Sequence, residues 1–282
     1  MARIRLPSSR GGRLTLLPII LFAIYFGYTW LTKREEVPVT GRQQLVDMSV
    51  EQEMALGLQS YRQIMSESRV VDPAEPVVAE VREVGRHIAR AADDVDPGFE
   101  WEFNVIADEQ ANAFALPGGK VAVYTGILPI VQNEDGLAVV MGHEVAHALA
   151  RHGAERMTTE RLMQFGTIAA GMSMSDMEPG QQRMVMAALG LGAHYGLRLP
   201  FSRDHESEAD YIGLLLVAEA CYDPREAPLL WQRMGQSRQG GAPPEWQSTH
   251  PSSETRIQQF EQWMPEALQV YEAHCETPLA AR

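Results

Sequence analysis

Hydrophobic residues recur at three- and four-residue intervals along much of the chain, which is the spacing of amphipathic helices. One such stretch follows Ser49 and carries Met54 and Tyr61 behind a run of Glu and Gln that is typical of a capped helix start. The same pattern returns over residues 77–91. Both stretches are predicted to be helices that pack on a common core.

A third helix is predicted to begin at Asn133 or Asp135, because either side chain can cap its first turn. Its apolar positions continue to about Arg151. Residues 165–196 are rich in Gly, Ala and Met and are interrupted near Pro179, which predicts two apolar helices with a mobile joint. Ordinary core packing is the favoured interpretation of this stretch, and a hydrophobic lid or substrate wall is the alternative.

Alternation of apolar and polar residues over 101–106 predicts a strand. A second run, from Ala113 to Leu116, is followed by Pro117-Gly118-Gly119 and a further apolar run over 121–124, which is the pattern of a hairpin with a glycine-rich turn. The chain is therefore predicted to be an α+β protein that is mainly α-helical and contains a small β-sheet.

The N-terminal part contains an uncharged, mostly apolar stretch over residues 14–32, and a helix of that length would span about 28 Å, roughly one bilayer core. Arginines precede it, so the positive-inside tendency predicts a cytoplasmic basic segment over 1–13, a transmembrane anchor over 14–32, a tether over 33–47 and a folded domain over 48–282. The expected location is the bacterial inner membrane, single-pass, with the folded domain in the periplasm. A cleaved signal peptide and an organellar transit peptide, the latter implying the mitochondrial inner membrane, are the alternatives.

Charge and cysteine content narrow the possible roles. The formal net charge is -13 and no acidic residue occurs before Glu35, so the folded part is strongly acidic and nucleic acid is not an expected partner. Cys221 and Cys275 are too few for a thiolate zinc site. A disulfide between them and two unrelated buried thiols remain equally open.

Candidate chemistry begins with His143-Glu144-Val145-Ala146-His147 in the third predicted helix. Histidines four residues apart lie on one helix face, so His143 and His147 can direct two imidazoles at one metal ion. Glu144 lies at the edge of that face, where its carboxylate can act as a general base on a water molecule. Because the neighbouring residues are apolar, a divalent metal is the simplest partner for all three side chains.

Catalytic zinc takes three protein ligands, and an acidic cluster near Glu206 offers the third. Glu206 and Asp210 are four residues apart on a predicted helix, so Glu206 can bind the metal while Asp210 accepts the free N–H of a ligating histidine. Glu208 points about 160° away from Glu206. Together with Asp204, it is interpreted as part of a solvated helix start.

Several motifs, taken in their order along the chain, resemble those of the M48 family of zinc metallopeptidases. They are His143 to His147, Ser202-Arg203 with Glu206 to Asp210, Thr249-His250-Pro251 to Arg256, and Asn112-Ala113-Phe114-Ala115 to Gly119. The resemblance covers roughly residues 45–265 and is closest to the single-anchor, Oma1-like branch. It implies a mostly helical, gluzincin-type fold with a small sheet, one Zn²⁺ per chain, and Glu206 as the third zinc ligand.

The resemblance also gives His250 a role at the active site, where it either stabilises the oxyanion or caps the zinc in a latent state. A turn histidine before Pro251 is the alternative. The other histidines are interpreted as structural or surface residues, namely His87, His152, His194, His205 and His274.

The expected function is hydrolysis of peptide bonds in unfolded or damaged membrane or envelope proteins, with Glu144 as the catalytic base. A polypeptide substrate is expected to bind along an edge strand by main-chain hydrogen bonds. The residues assigned to that strand are Asn112, Ala113, Phe114 and Ala115. The rival hypothesis is a zinc-stabilised chaperone-like or adaptor protein with negligible hydrolysis.

Overall fold

The computed structural model describes residues 15–193, 199–236 and 254–276. The helices in these ranges are α1 Leu17–Thr32, α2 Val50–Glu67, α3 Pro76–Ala91, α4 Leu128–Val131, α5 Glu134–Leu149, α6 His152–Ser173, α7 Pro179–Ala193, α8 Leu199–Glu219, α9 Glu226–Gln236 and α10 Glu254–His274. The strands are β1 Arg34–Glu36, β2 Gln43–Leu45, β3 Glu102–Ile106, β4 Ala113–Leu116 and β5 Lys120–Tyr124. The predicted mainly helical α+β class is confirmed.

The starts of α2 and α5 follow from their capping residues. The Ser49 hydroxyl accepts a hydrogen bond from the backbone N–H of Gln52, and the Gln52 side chain accepts one from the backbone N–H of Ser49. At α5 the Asn133 side chain accepts from the backbone N–H of Gly136, so Asn133 rather than Asp135 is the cap.

The three-stranded sheet has the order β3-β5-β4. Antiparallel pairing of β4 with β5 confirms the predicted hairpin, and β3 pairs with β5 in parallel. The turn between β4 and β5 contains Gly118 and Gly119 at φ values of 86° and 80°, where glycine avoids the strain that a side chain would cause. This arrangement leaves β4 at an edge of the sheet.

Helix α5 lies at the centre of the hydrophobic core and crosses α8 at a pair of glycines. A Cβ atom on Gly213 would lie 2.8 Å from the backbone nitrogen of His143, and one on Gly142 would lie 2.9 Å from the carbonyl oxygen of Gly213. The two helix backbones can approach this closely only because neither position carries a side chain. The crossing therefore brings the residues that flank it, His143 on α5 and Asp210 on α8, next to each other.

The N-terminal part contains helix α1, which lies within the predicted 14–32 stretch and runs beside α6. Backbone N–H of Thr15 donates to the carbonyl of Ser173, and the rings of Tyr25 and Phe165 meet edge to face at 5.5 Å. Among the described residues, no helix combines the length and apolar character that crossing a membrane requires.

The segment predicted to be a tether, residues 33–47, contains secondary structure of its own. Strands β1 and β2 pair antiparallel within it, so we call residues 34–45 the N-terminal hairpin. Val37, in the hairpin, and Val46, directly after it, are each 1% exposed, and Arg42 contacts buried carboxylates of α6 and α8. The hairpin is therefore packed against the helical domain.

Cys221 and Cys275 form a disulfide with a sequence separation of 54, which resolves the two alternatives left open by the sequence. The bond joins the end of α8 to the end of α10. In the chain-entropy model, closing a loop of this size stabilises the fold by about 4 kcal/mol.

Replacing both cysteines by Ser is expected to lower the free energy of unfolding by several kcal/mol, because the unfolded chain regains that loop entropy. Urea unfolding of the full chain in detergent measures the change. Reduction of the wild type should reproduce it, and reductant should not affect the double variant. Equal stability of the oxidised wild type and the double variant would contradict the expectation.

Candidate metal centre

Two histidines of α5 direct their rings at the same point. His143 is 3% exposed, the His147 side chain is half-buried, and their Nε2 atoms lie 3.1 Å apart. The four-residue spacing on one helix face explains the arrangement, because both side chains project one above the other. This is the pairing that the sequence predicted.

Helix α8 supplies a carboxylate to the same point. Glu206 Oε2 lies 3.4 Å from Nε2 of His143, and Oε1 lies 3.5 Å from Nε2 of His147. With metal–ligand bonds of about 2.0–2.1 Å, the ligand atoms of a tetrahedral zinc site are separated by about 3.4 Å. The two imidazole nitrogens and the carboxylate oxygens thus have the chemistry and the spacing that fit one zinc ion, and their candidate ligand atoms all lie within 4.8 Å of one another.

Asp210 lies behind His143, as the i, i+4 spacing from Glu206 predicted. Its Oδ1 is 3.0 Å from Nδ1 of His143, so the ring N–H points away from the candidate metal position and is held there. Burial alone would lower the pKa of His143, but the hydrogen bonds and charges of Asp210 and Glu206 raise it to about 9. A metal ion at this site would displace the proton on Nε2 of His143, whereas the Nδ1–H would stay with Asp210.

Arg256, on α10, connects the carboxylates of Asp210 and Glu206. The residue spacings in the sequence did not predict this role. Its Nε and Nη2 donate to Asp210 at 2.6 and 2.5 Å, and its Nη1 donates to Glu206 Oε2 at 3.2 Å. The guanidinium also lies 3.6 Å from the ring centroid of Trp231. Arg256 is 4% exposed and balances the negative charge around the two histidines. The one sequence signal for it was its position in the His250 motif.

Glu144 faces β4. The backbone N–H of Ala115 donates to Glu144 Oε2 at 3.3 Å, and the glutamate is 3% exposed. The predicted general base, which follows His143 directly on α5, thus directs its carboxylate at the edge strand. Within the predicted substrate strand, Ala113 is buried and Asn112, Phe114 and Ala115 are half-buried.

A second polar cluster lies on the Nδ1 side of His147, and the sequence did not predict most of its contacts. His152 Nδ1 lies 2.8 Å from Nδ1 of His147, and His152 Nε2 lies 2.9 Å from Glu208. The interpretation of Glu208 as a solvated residue is wrong, because it is 8% exposed and Arg42 packs over it, whereas Asp204 is exposed as expected. The signal available was the position of His152 directly after the metal helix.

The charges in this cluster are set by burial and by contacts between its members. Burial lowers the pKa of His152 to about 4, so the ring is neutral at physiological pH. Burial would raise the pKa of Glu208, but hydrogen bonds from His152, Thr40 and Arg42 outweigh it and lower that pKa to about 2. His205, also interpreted as structural or surface, is buried in the same cluster, and its Nε2 lies 2.8 Å from Glu155.

His250, the predicted oxyanion or latency residue, lies outside the described residues. Of the predicted site residues that are described, four converge on one location, namely His143, His147, Glu206 and Asp210, and Glu144 directs its carboxylate at the adjoining strand β4.

Comparison with known proteins agrees with this geometry. A sequence model of peptidase family M48 matches residues 77–264. The mitochondrial metalloendopeptidase OMA1 of Schizosaccharomyces pombe is 40% identical over 244 residues, which cover 86% of this chain and 69% of the relative. The human mitochondrial metalloendopeptidase OMA1 is 33% identical over 271 residues, covering 91% of this chain and 51% of the relative. A putative β-barrel assembly-enhancing protease of Vibrio cholerae is 31% identical over 227 residues, covering 79% of this chain and 46% of the relative.

Proposed function

The chain belongs to peptidase family M48 and is a zinc metalloendopeptidase, and on this premise we propose that it cleaves unfolded or damaged membrane or envelope proteins. The observation that supports a catalytic site best is the position of Glu144, which follows His143 on α5 and whose carboxylate lies 3.3 Å from the backbone nitrogen of Ala115 on an edge strand. A purely structural metal site has no use for a carboxylate so placed.

His143, His147 and Glu206 would hold the zinc ion, and Asp210 with Arg256 would fix the orientation of His143 and Glu206. A zinc ion held there would supply Lewis acidity, which polarises a peptide carbonyl and lowers the pKa of a water molecule. Among the described residues three protein groups are candidate ligands, the number that catalytic zinc sites use.

Glu144 would carry the proton during hydrolysis. Its carboxylate would take a proton from the attacking water and deliver it to the leaving amide nitrogen, so the same side chain acts first as base and then as acid. The strand β4 supports this role, because a substrate aligned with that edge brings its backbone close to Glu144. Main-chain hydrogen bonding along Asn112, Ala113, Phe114 and Ala115 would tolerate many sequences, which suits the removal of damaged proteins.

Membrane attachment through residues 14–32 is part of the proposal. Helix α1 supports it with large apolar side chains that are exposed, among them Leu17 at 66%, Ile24 at 64% and Leu31 at 82%. We place the catalytic domain in the periplasm of a bacterial inner membrane, with the mitochondrial inner membrane as the alternative. The disulfide favours a compartment that is oxidising. Retention of the full chain in membranes after alkaline extraction tests the attachment.

Removal of the metal tests the proposed activity directly. The full chain, purified in detergent, is expected to cleave casein, to lose that cleavage when a zinc chelator is added, and to regain it when zinc is restored. Cleavage is measured as the release of acid-soluble peptides. A Glu144→Gln protein purified in parallel controls for contaminating proteases. Zinc binding without casein cleavage in the wild type would favour the adaptor hypothesis, and cleavage that survives chelation would exclude the metal mechanism.

A further inference from the structure

His152 lies where it can fix the orientation of the ligand His147. Nδ1 of His147 is 2.8 Å from Nδ1 of His152, whereas Nε2 of His147 faces His143 and Glu206. A neutral histidine that binds a metal through Nε2 carries its hydrogen on Nδ1. The His147 Nδ1–H must therefore donate to His152, and His152 must offer an unprotonated Nδ1.

Glu208 holds His152 in the tautomer that this contact needs. Nε2 of His152 lies 2.9 Å from Glu208 Oε2, and a carboxylate can only accept, so the His152 hydrogen is on Nε2 and its Nδ1 is free to accept. One tautomer assignment thus satisfies both contacts. The donors run in a single direction, from His147 to His152 to Glu208.

The N-terminal hairpin balances the charge of Glu208. Arg42 Nε donates to Glu208 Oε2 at 2.7 Å, and the Thr40 hydroxyl donates to Oε1 at 2.5 Å. The same guanidinium donates through Nη1 and Nη2 to Glu155 at 3.0 and 2.8 Å. A buried carboxylate requires such partners, so the hairpin fixes the position of the Glu208 carboxylate beside His152.

The ring of His152 is also held from its face. The His205 ring stacks on it with centroids 4.1 Å apart and an interplanar angle of 12°. His205 is itself fixed by Glu155, which Arg42 contacts. Glu208 therefore constrains the edge of the His152 ring and His205 constrains its face, and Arg42 contacts both Glu208 and the Glu155 that holds His205.

We propose that His152 and Glu208 are positioning residues for the zinc ligand His147, and that Arg42 makes zinc affinity depend on the N-terminal hairpin. This inference rests on the zinc site of the proposed function. A ligating histidine normally donates its second N–H to a carboxylate, carbonyl or water. Here a second histidine, His152, lies between the ligand and the carboxylate. Arg42 contacts none of the candidate ligands and acts on the site through Glu208 and His152.

Zinc affinity of the full chain tests the inference, measured in detergent by competition with a chelating indicator. His152→Leu removes the acceptor while keeping an apolar side chain of similar size, and it is expected to weaken zinc binding 10–100-fold, the usual effect of losing an outer partner of a ligand. His152→Asn places a carbonyl oxygen near the position of Nδ1 and is expected to restore most of the affinity. His274→Leu, an exposed histidine at the end of α10, is the matched control.

Arg42→Gln extends the test to the hairpin. It is expected to weaken zinc binding in the same direction as His152→Leu, because the Glu208 carboxylate loses the donor that holds it in place beside Nε2 of His152. The unfolding midpoint of the metal-free protein is recorded for each variant. A merely structural role would lower that midpoint and leave the zinc affinity of the folded protein unchanged.

Several outcomes overturn the inference. Zinc affinity in His152→Leu equal to that of the wild type would do so, as would failure of His152→Asn to bind zinc more tightly than His152→Leu. If His152→Leu does not fold, Arg42→Gln and Glu208→Gln decide, and unchanged affinity in both rejects the proposal. A wild type that binds no zinc overturns the proposed function as well, whereas a zinc-binding wild type with unaffected variants overturns this inference alone.

Discussion

Replacing Glu144 by Gln is expected to reduce casein cleavage by about 10²–10⁴-fold, the contribution that a positioned general base makes. The amide has nearly the shape of the carboxylate but cannot take a proton from water. Because Glu144 is not among the three candidate ligands, zinc content after dialysis should be unchanged. Peptide release and atomic absorption on the same sample measure the two quantities.

Glu134→Gln provides the matched control for that experiment. Glu134 lies in the first turn of the same helix, is exposed and has no place in the metal site. Its replacement should leave both cleavage and zinc content at the wild-type level. Cleavage by Glu144→Gln within a few-fold of the wild type would reject Glu144 as the base. Loss of zinc in that variant would mean that the Glu144 carboxylate helps to bind the metal instead.

Replacing Glu206 by Gln is expected to weaken zinc binding by more than about 100-fold, beyond the 10–100-fold range of outer-shell changes. The neutral amide is a poorer metal ligand, and it also removes the anion that faces Nη1 of Arg256 at 3.2 Å. Casein cleavage should vanish at limiting zinc. Titration with a chelating indicator measures the affinity.

Glu219→Gln, at the opposite end of α8, is the control for the ligand variant. Its carboxylate is partly exposed and lies 3.9 Å from His274, far along the chain from the metal site. Zinc affinity should be that of the wild type. If Glu206→Gln also bound zinc as tightly as the wild type, a different residue would have to be the third ligand.

Local periodicity was sufficient to predict the parts of the site that lie on a single helix. The i, i+4 rule placed His143 with His147, and Glu206 with Asp210, because side chains at that spacing share a helix face whatever the rest of the fold does. Strands β3, β4 and β5 and the β4–β5 hairpin were predictable for a similar reason, since alternation and a glycine turn are local signals.

Contacts between distant segments could not be obtained in this way. Arg256 reaches Asp210 from 46 positions along the chain, and Arg42 reaches Glu208 from 166. The error on Glu208 shows the physical reason. Acidic residues at a helix start are normally solvated, and only the packing of another segment over that start decides otherwise. The hairpin around Arg42 is short and polar, so its composition indicated a tether.

The glycine crossing of α5 and α8 also determines how the metal site can move. Where two helix backbones touch without intervening side chains, neither can rotate or slide without a clash. The candidate ligands on α5 and α8 are therefore held at fixed positions relative to each other, so the site would be arranged before a zinc ion binds. Movements that admit a polypeptide are therefore expected in the parts around this crossing rather than at the crossing itself.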